Sequence, residues 1–304
     1  MKRSSLLCVA GATCVVVNLF LGGCSSAPKT AQRSVLIEPE AVGAVLSASD
    51  SKTIVLDARA LEDYGPAHAR GAQRLDTREW SAASRKGDGL NDTAGWSLRI
   101  SALGIDEHTP VIIYDEGGMT SAARAWFILR ECGVQNVRVV NGGWTNLCPV
   151  LAPSLVQAGN PGDFAPTRFA AAAPNRLVTK DQLKALSSAG TQPILDVRTE
   201  DEFTGNVKVE PGRAVGRVGH VPGTTNLPHK QMLDERGRLR SPEELRTLFT
   251  ANGASEEKPA VLLCQSGGRA AFAALAAEHA GLNNTTVYYM SMGEWFADPS
   301  CPVE

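Results

Sequence analysis

Little in this sequence of 304 residues points towards nucleic acid or metal. The formal net charge is −2 and no basic stripe is present, which excludes a phosphate-backbone surface. Seven cysteines occur, yet none pairs as Cys-x-x-Cys and none has metal-site spacing, so neither metal nor cofactor is expected. Long apolar runs are also scarce. The one from Leu6 to Leu21 is interrupted by residues such as Asn18 and is short and glycine-rich for a spanning helix. What is present is globular in kind: 43% hydrophobic and 20% charged residues. Behind the leader, about 280 residues suit two domains of ordinary size.

Lys2 and Arg3 ahead of the Leu6–Leu21 run read as a secretory signal. Its end, Leu21-Gly22-Gly23-Cys24, resembles a bacterial lipobox, which implies a signal peptide over 1–23 and a lipid on Cys24. Ser25 behind the cysteine resembles the signal for onward transfer. The implied location is exported and lipid-anchored, on the periplasmic face of an outer membrane. Residues 24–34 read as a polar tether. Cys8 and Cys14 leave with the signal, so Cys132, Cys148, Cys264 and Cys301 remain. Outside the cytoplasm these can form disulfides, and pairing among Cys132, Cys148 and Cys301 is left open.

The chain also repeats itself at an offset of roughly 140–150 residues. Ile54 to Arg59 returns as Ile194 to Arg198, an apolar strand ending in Asp-x-Arg. Ala67-His68 returns as Gly219-His220, and Asn141-Gly142-Gly143-Trp144 is echoed by Gly293-Glu294-Trp295. Val111 to Asp115 returns as Val261 to Cys264, each followed by glycines and a helix-like run. Strands alternating with helices predict an α/β fold in two copies, each a mostly parallel sheet with helices on both faces. Ser241-Pro242-Glu243-Glu244 predicts a capped helix start, as does Thr179 to Gln182. The copies fall at 35–150 and 175–304, with 151–174 as the linker.

The stretch that carries chemistry is Pro259 to Ala277. A buried strand runs into Cys264, then Gln265, Ser266, Gly267, Gly268 and Arg269 open a helix. Turn N–H groups, the helix dipole and Arg269 favour the thiolate, and the glycines let the backbone fold around it. Four residues separate Cys264 from Arg269, one fewer than in the anion loop of cysteine phosphatases.

That loop and the repeat around it resemble the rhodanese family, in its tandem thiosulfate or 3-mercaptopyruvate sulfurtransferase form. Asn226-Leu227-Pro228, Asp234 to Gly237 and the C-terminal Asp298 to Glu304 agree with it. The resemblance implies an inactive N-terminal copy, since Asp115 stands where Cys264 stands and cannot hold sulfane sulfur. It implies transfer of sulfur from a small anionic donor to a thiol or cyanide through a persulfide on Cys264. Gln265 to Arg269 would form the active-site loop; the Ser266 hydroxyl is a candidate to donate to the leaving group or to activate the donor thiol. Arg269 and Arg213 would bind the donor, and Asp196, Arg198 and His220 would support the loop. Arg269 suits a compact dianion and so favours thiosulfate. The resemblance departs at Glu202, where the mitochondrial enzymes usually carry arginine. The alternative is a tethered sulfur-binding or redox-partner module with little turnover.

Overall fold

The Asp-x-Arg strands lie inside two parallel sheets. The computed structural model describes residues 34–49, 51–160, 165–206 and 216–304. Cys24 and Arg213 lie outside the described residues. In the first copy the strands are β1 (Leu36–Ile37), β2 (Ile54–Asp57), β3 (His68–Ala69), β4 (Gln73–Arg74), β5 (Val111–Tyr114), β6 (Val137–Val140) and β7 (Val156–Gln157). Five of them form a parallel sheet in the order β1-β6-β5-β2-β4. The second copy has β8 (Ile194–Asp196), β9 (Thr225–Asn226), β10 (Val261–Leu263) and β11 (Thr286–Val287), parallel in the order β11-β10-β8-β9. Where the first copy has β1, the second has a single parallel bridge, Leu177 to Val287. All residues of β5 and β10 are buried, as an apolar run covered on both faces must be.

Small features repeat too. β3 pairs antiparallel with β7, so His68 lies opposite Gln157. In the second copy His220 exchanges backbone hydrogen bonds with the C-terminal Glu304. Val156 and Gln157 fall within the stretch 151–174. Further along that stretch, Thr167 and Ala172 donate their N–H groups to Ser101 and Cys132 of the first copy.

The two copies share one apolar core. The helices Thr120–Glu131 and Gly268–His279 each follow a strand of the sheet centre, and their apolar residues belong to one buried cluster. Eight consecutive residues, Ala270 to Ala277, are fully buried, and six of them are alanine. Small side chains all round let this helix lie close to its neighbours on every side. Arg176 joins the copies by charge, with Glu131 at 2.6 Å and Glu278 at 3.0 Å. Both expected capping boxes form, at Ser241–Glu244 and Thr179–Gln182.

Candidate active site

Asp-x-Arg is a brace. Asp196 ends β8 with no exposed surface and binds Arg198 through its backbone N–H at 3.0 Å and its guanidinium at 2.6 Å. Arg198 then reaches the Gly219 carbonyl at 2.9 Å, tying the strand end to the turn that carries His220. Asp57, Arg59 and the Ala67 carbonyl repeat this in the first copy. His220 stacks on Phe203 with centroids 3.7 Å apart, and its Nδ1 lies 3.0 Å from the Phe203 carbonyl. With its backbone paired to Glu304, it is placed as a turn residue.

Cys264 directly follows β10, whose last residue Leu263 pairs with Asp196 of the β8 brace, and only 1% of the cysteine is exposed. Its sulfur accepts the Gly267 N–H at 3.1 Å. Gly267 has φ 93° and caps the following helix. A side chain there would meet the Tyr289 carbonyl at 2.7 Å, so glycine is needed for both conformation and space. The helix that begins at Gly268 directs its first N–H groups, free of intrahelical partners, towards the strand end. Gln265 fixes the loop through its carbonyl, which accepts from Gly293.

Ser291 holds the cysteine from the other side. Its Oγ accepts the Cys264 N–H at 3.1 Å and lies 3.8 Å from the sulfur. Ser291 is fully buried and has φ 57°, a conformation that strains any residue with a Cβ. The equivalent residue of the first copy is Gly143, φ 60°. The equivalence follows from the next backbone N–H, which bonds the strand-end carbonyl in both copies: Trp144 to Asp115, Met292 to Cys264.

In the first copy the cradle is filled by the chain itself. The Asp115 carboxylate accepts four backbone N–H groups, from Gly117, Met119, Ser121 and Ala122, at 3.0–3.1 Å. Burial pushes this carboxyl up in pKa, and the four N–H bonds oppose that.

Arg269 does not stand alone. Its guanidinium grips Glu202 with two parallel bonds, 2.5 and 2.8 Å. Burial alone would raise the Glu202 pKa, but Arg269 and the Thr199 cap outweigh it and bring it down to about 2. Thr199 and Glu202 form a capping box, readable in the sequence Thr199-Glu200-Asp201-Glu202. A second cation comes from the first copy. Arg124 lies against the loop, with Nη2 3.4 Å from Ser266 Oγ and Nη1 donating to Ser81 at 2.8 Å. Arg124 and Ser291 escaped the sequence reading. The sequence match of Trp144 with Trp295 is three residues out: the structure pairs Trp144 with Met292, and so Gly143 with Ser291, and that offset hides Ser291 in the repeat.

Gln265, Ser266, Gly267, Gly268 and Arg269 thus all surround Cys264, and Asp196, Arg198 and His220 stand behind it. Arg213 lies outside the described residues. The four described cysteines, Cys132, Cys148, Cys264 and Cys301, are all free thiols, and no metal-like cluster occurs among the described residues.

Comparison with known proteins agrees. The family described as Rhodanese-like domain matches residues 41–148 and 179–298. The chain is 32% identical over 212 residues to 3-mercaptopyruvate sulfurtransferase of Escherichia coli K12, covering 69% of this chain and 73% of that one. It is 31% identical over 242 residues to thiosulfate sulfurtransferase of Bos taurus, covering 78% and 80%. Among solved structures it is similar to the Escherichia coli 3-mercaptopyruvate sulfotransferase SseA, at a TM-score of 0.70 and 26% identity over 85% of this chain and 98% of that one. An anaerobic ergothioneine biosynthesis enzyme from Chlorobium limicola shares the fold, with TM-score 0.77, 22% identity, and 90% and 71% coverage. With two matched segments, one in each copy, and relatives of this identity along most of its length, the chain belongs to the rhodanese family of sulfurtransferases.

Proposed function

We propose that this chain transfers sulfane sulfur from thiosulfate or 3-mercaptopyruvate to cyanide or a thiol, through a persulfide on Cys264. The Cys264 thiolate attacks the outer sulfur of thiosulfate, the S–S bond of the donor breaks, and sulfite leaves with the bonding pair. From 3-mercaptopyruvate the C–S bond breaks instead, and pyruvate leaves after taking up a proton. Cyanide or a thiolate then attacks the outer sulfur and returns Cys264 to the thiolate. Gln265 to Arg269 cradle the persulfide, and Ser266 donates to the leaving group. Arg124 and Arg213 draw in the donor, while Asp196, Arg198 and His220 keep the loop in shape. The copy at 35–150 holds no sulfur and walls the cleft; catalysis belongs to 175–304.

One observation carries this reading. The sulfur of Cys264, at a buried strand end, already accepts an N–H from the glycine that caps the next helix. A persulfide anion needs further donors of that kind, and the open helix start supplies them. The near-complete burial of the thiol limits approach to the slender, terminal sulfur of a donor and keeps the persulfide from water.

The test is thiocyanate production from cyanide with each donor in turn, comparing wild type with Cys264→Ser. Turnover that vanishes in the variant supports the reading, as does a gain of about 32 Da on thiosulfate that cyanide removes. Folded, reduced protein that neither turns over nor gains this mass refutes it. The leader supports a further element, export and lipid attachment at Cys24 on the periplasmic face of an outer membrane. Membrane fractionation of wild type and Cys24→Ser tests that, with release of the variant expected.

A further inference from the structure

The cation of the active-site loop is already matched by an anion. Arg269 sits on the second residue of the helix that follows Cys264, close enough for the two to interact electrostatically. Both oxygens of Glu202 take its guanidinium, at 2.5 and 2.8 Å. The carboxylate is not free to swing away. Its Oε2 also accepts the Thr199 N–H at 3.2 Å and the Thr199 hydroxyl at 3.0 Å, which locks it to the start of its own helix. Arg269 and Glu202 are 21% and 24% exposed at their side chains, so the pair lies at the rim where an arriving donor meets it. The acid is ionised at any neutral pH, being held to about 2.

Charge around the loop can then be summed over the described residues. Arg269 and Glu202 cancel. Asp196 and Arg198, buried beneath, cancel as well. Arg124 and Arg85, from the first copy, have no carboxylate partner among the described residues; both donate to Ser81, and Arg124 also to Ser266.

We infer that Glu202 is a specificity-determining residue, and that its pair with Arg269 selects a monoanionic sulfur donor, a 2-oxo-3-thiol acid such as 3-mercaptopyruvate, over dianionic thiosulfate. The inference rests on Cys264 as the sulfur carrier and deepens that reading by naming the donor class. The physical reason is short. A second negative charge on the donor meets the Glu202 carboxylate, which already takes both arms of the loop's own cation, Arg269.

The experiment measures kcat/KM for both donors in the full chain, wild type against Glu202→Gln. The amide keeps the length of the side chain and an oxygen for the Thr199 cap, but removes the charge. Wild type prefers 3-mercaptopyruvate, and Glu202→Gln shifts the ratio towards thiosulfate by about 10-fold, or about 1.4 kcal/mol. Arg269→Gln, which leaves Glu202 uncompensated, moves the ratio the other way and serves if Glu202→Gln does not fold. A ratio that stays within about 2-fold of wild type in a folded variant overturns the inference, and so does a wild-type preference for thiosulfate. A parallel titration of thiosulfate into Cys264→Ser, with and without Glu202→Gln, needs no turnover. Tighter binding with Glu202→Gln is expected and unchanged affinity overturns the charge argument, whereas absence of turnover in wild type alone strikes only the sulfur-carrier reading.

Discussion

Two loops of this molecule start from equivalent strand ends and come to opposite states. At Asp115 the side chain reaches into the cradle made by the loop and the next helix, and its two oxygens take four backbone N–H groups. At Cys264 the sulfur takes the cap N–H, and the helix start remains open. The first loop also has one more residue, since its helix begins at Thr120, five after Asp115, while the other begins at Gly268, four after Cys264. The same scaffold is closed by the chain's own carboxylate in one copy and left open beside a thiol in the other. Which state it takes depends on whether the chain supplies the anion itself or leaves the donors to a ligand.

Exchanging roles at these two positions gives the largest expected effect. Cys264→Ser should lower thiocyanate production more than about 1,000-fold, since none of the other described thiols, Cys132, Cys148 and Cys301, stands in the loop. Its melting temperature should stay within a few degrees of wild type, because a hydroxyl still fits beside the Gly267 N–H. Asp115→Ala should do the reverse, leaving four N–H groups, those of Met119 and Ala122 buried, without their acceptor at a cost of about 3 kcal/mol. Denaturant unfolding of both variants checks the pair. Near-wild-type stability for Asp115→Ala would break the comparison.

The braces should be nearly equal between copies. Arg59→Met and Arg198→Met each strand a buried carboxylate, and each should cost roughly 3–5 kcal/mol in urea unfolding. Only Arg198→Met should also disturb turnover in the protein that remains folded, since only its brace lies beneath Cys264.

A smaller effect separates the copies by pH. Glu202 is lowered from 4.5 to about 2. A lowered carboxylate contributes stability that is fully present above about pH 4.5 and is lost as the pH falls towards 2. Because the pair is partly exposed, the contribution is on the order of 1 kcal/mol. Unfolding curves between pH 2 and pH 5 should show this loss in wild type and a flatter profile in Glu202→Gln.

The smallest effect concerns Ser291 and Gly143. Ser291→Gly relieves the strain of φ 57° but removes the hydroxyl that holds the Cys264 N–H. Stability should change by less than about 1 kcal/mol while kcat/KM falls several-fold. In the reverse exchange, Gly143→Ser, the added Cβ would stand 2.6 Å from the Asp115 carbonyl, so stability should fall without any direct loss of chemistry.

Much of this is legible in the sequence. The apolar strands, the Asp-x-Arg brace and the Cys264 loop are written in neighbouring residues, and their recurrence at one offset disclosed the two copies. The capping boxes at Thr179 and Ser241 were equally local. In the sequence Arg269 stands as a free cation because its partner is 67 residues away. Ser291 was missed because a serine has no reason to stand out 27 residues from the cysteine it holds.

By itself the sequence determined the α/β class, the duplication and which thiol stands between a buried strand and the next helix, because each follows from apolar periodicity, turn residues and side-chain chemistry within a few positions. Tertiary structure alone decided the electrostatics of the site. Arg124 meets Ser266 across 142 residues and two copies, and Glu202 cancels Arg269 from another helix. Charges act through space, so their sum at Cys264 depends on which helices the shared core brings together.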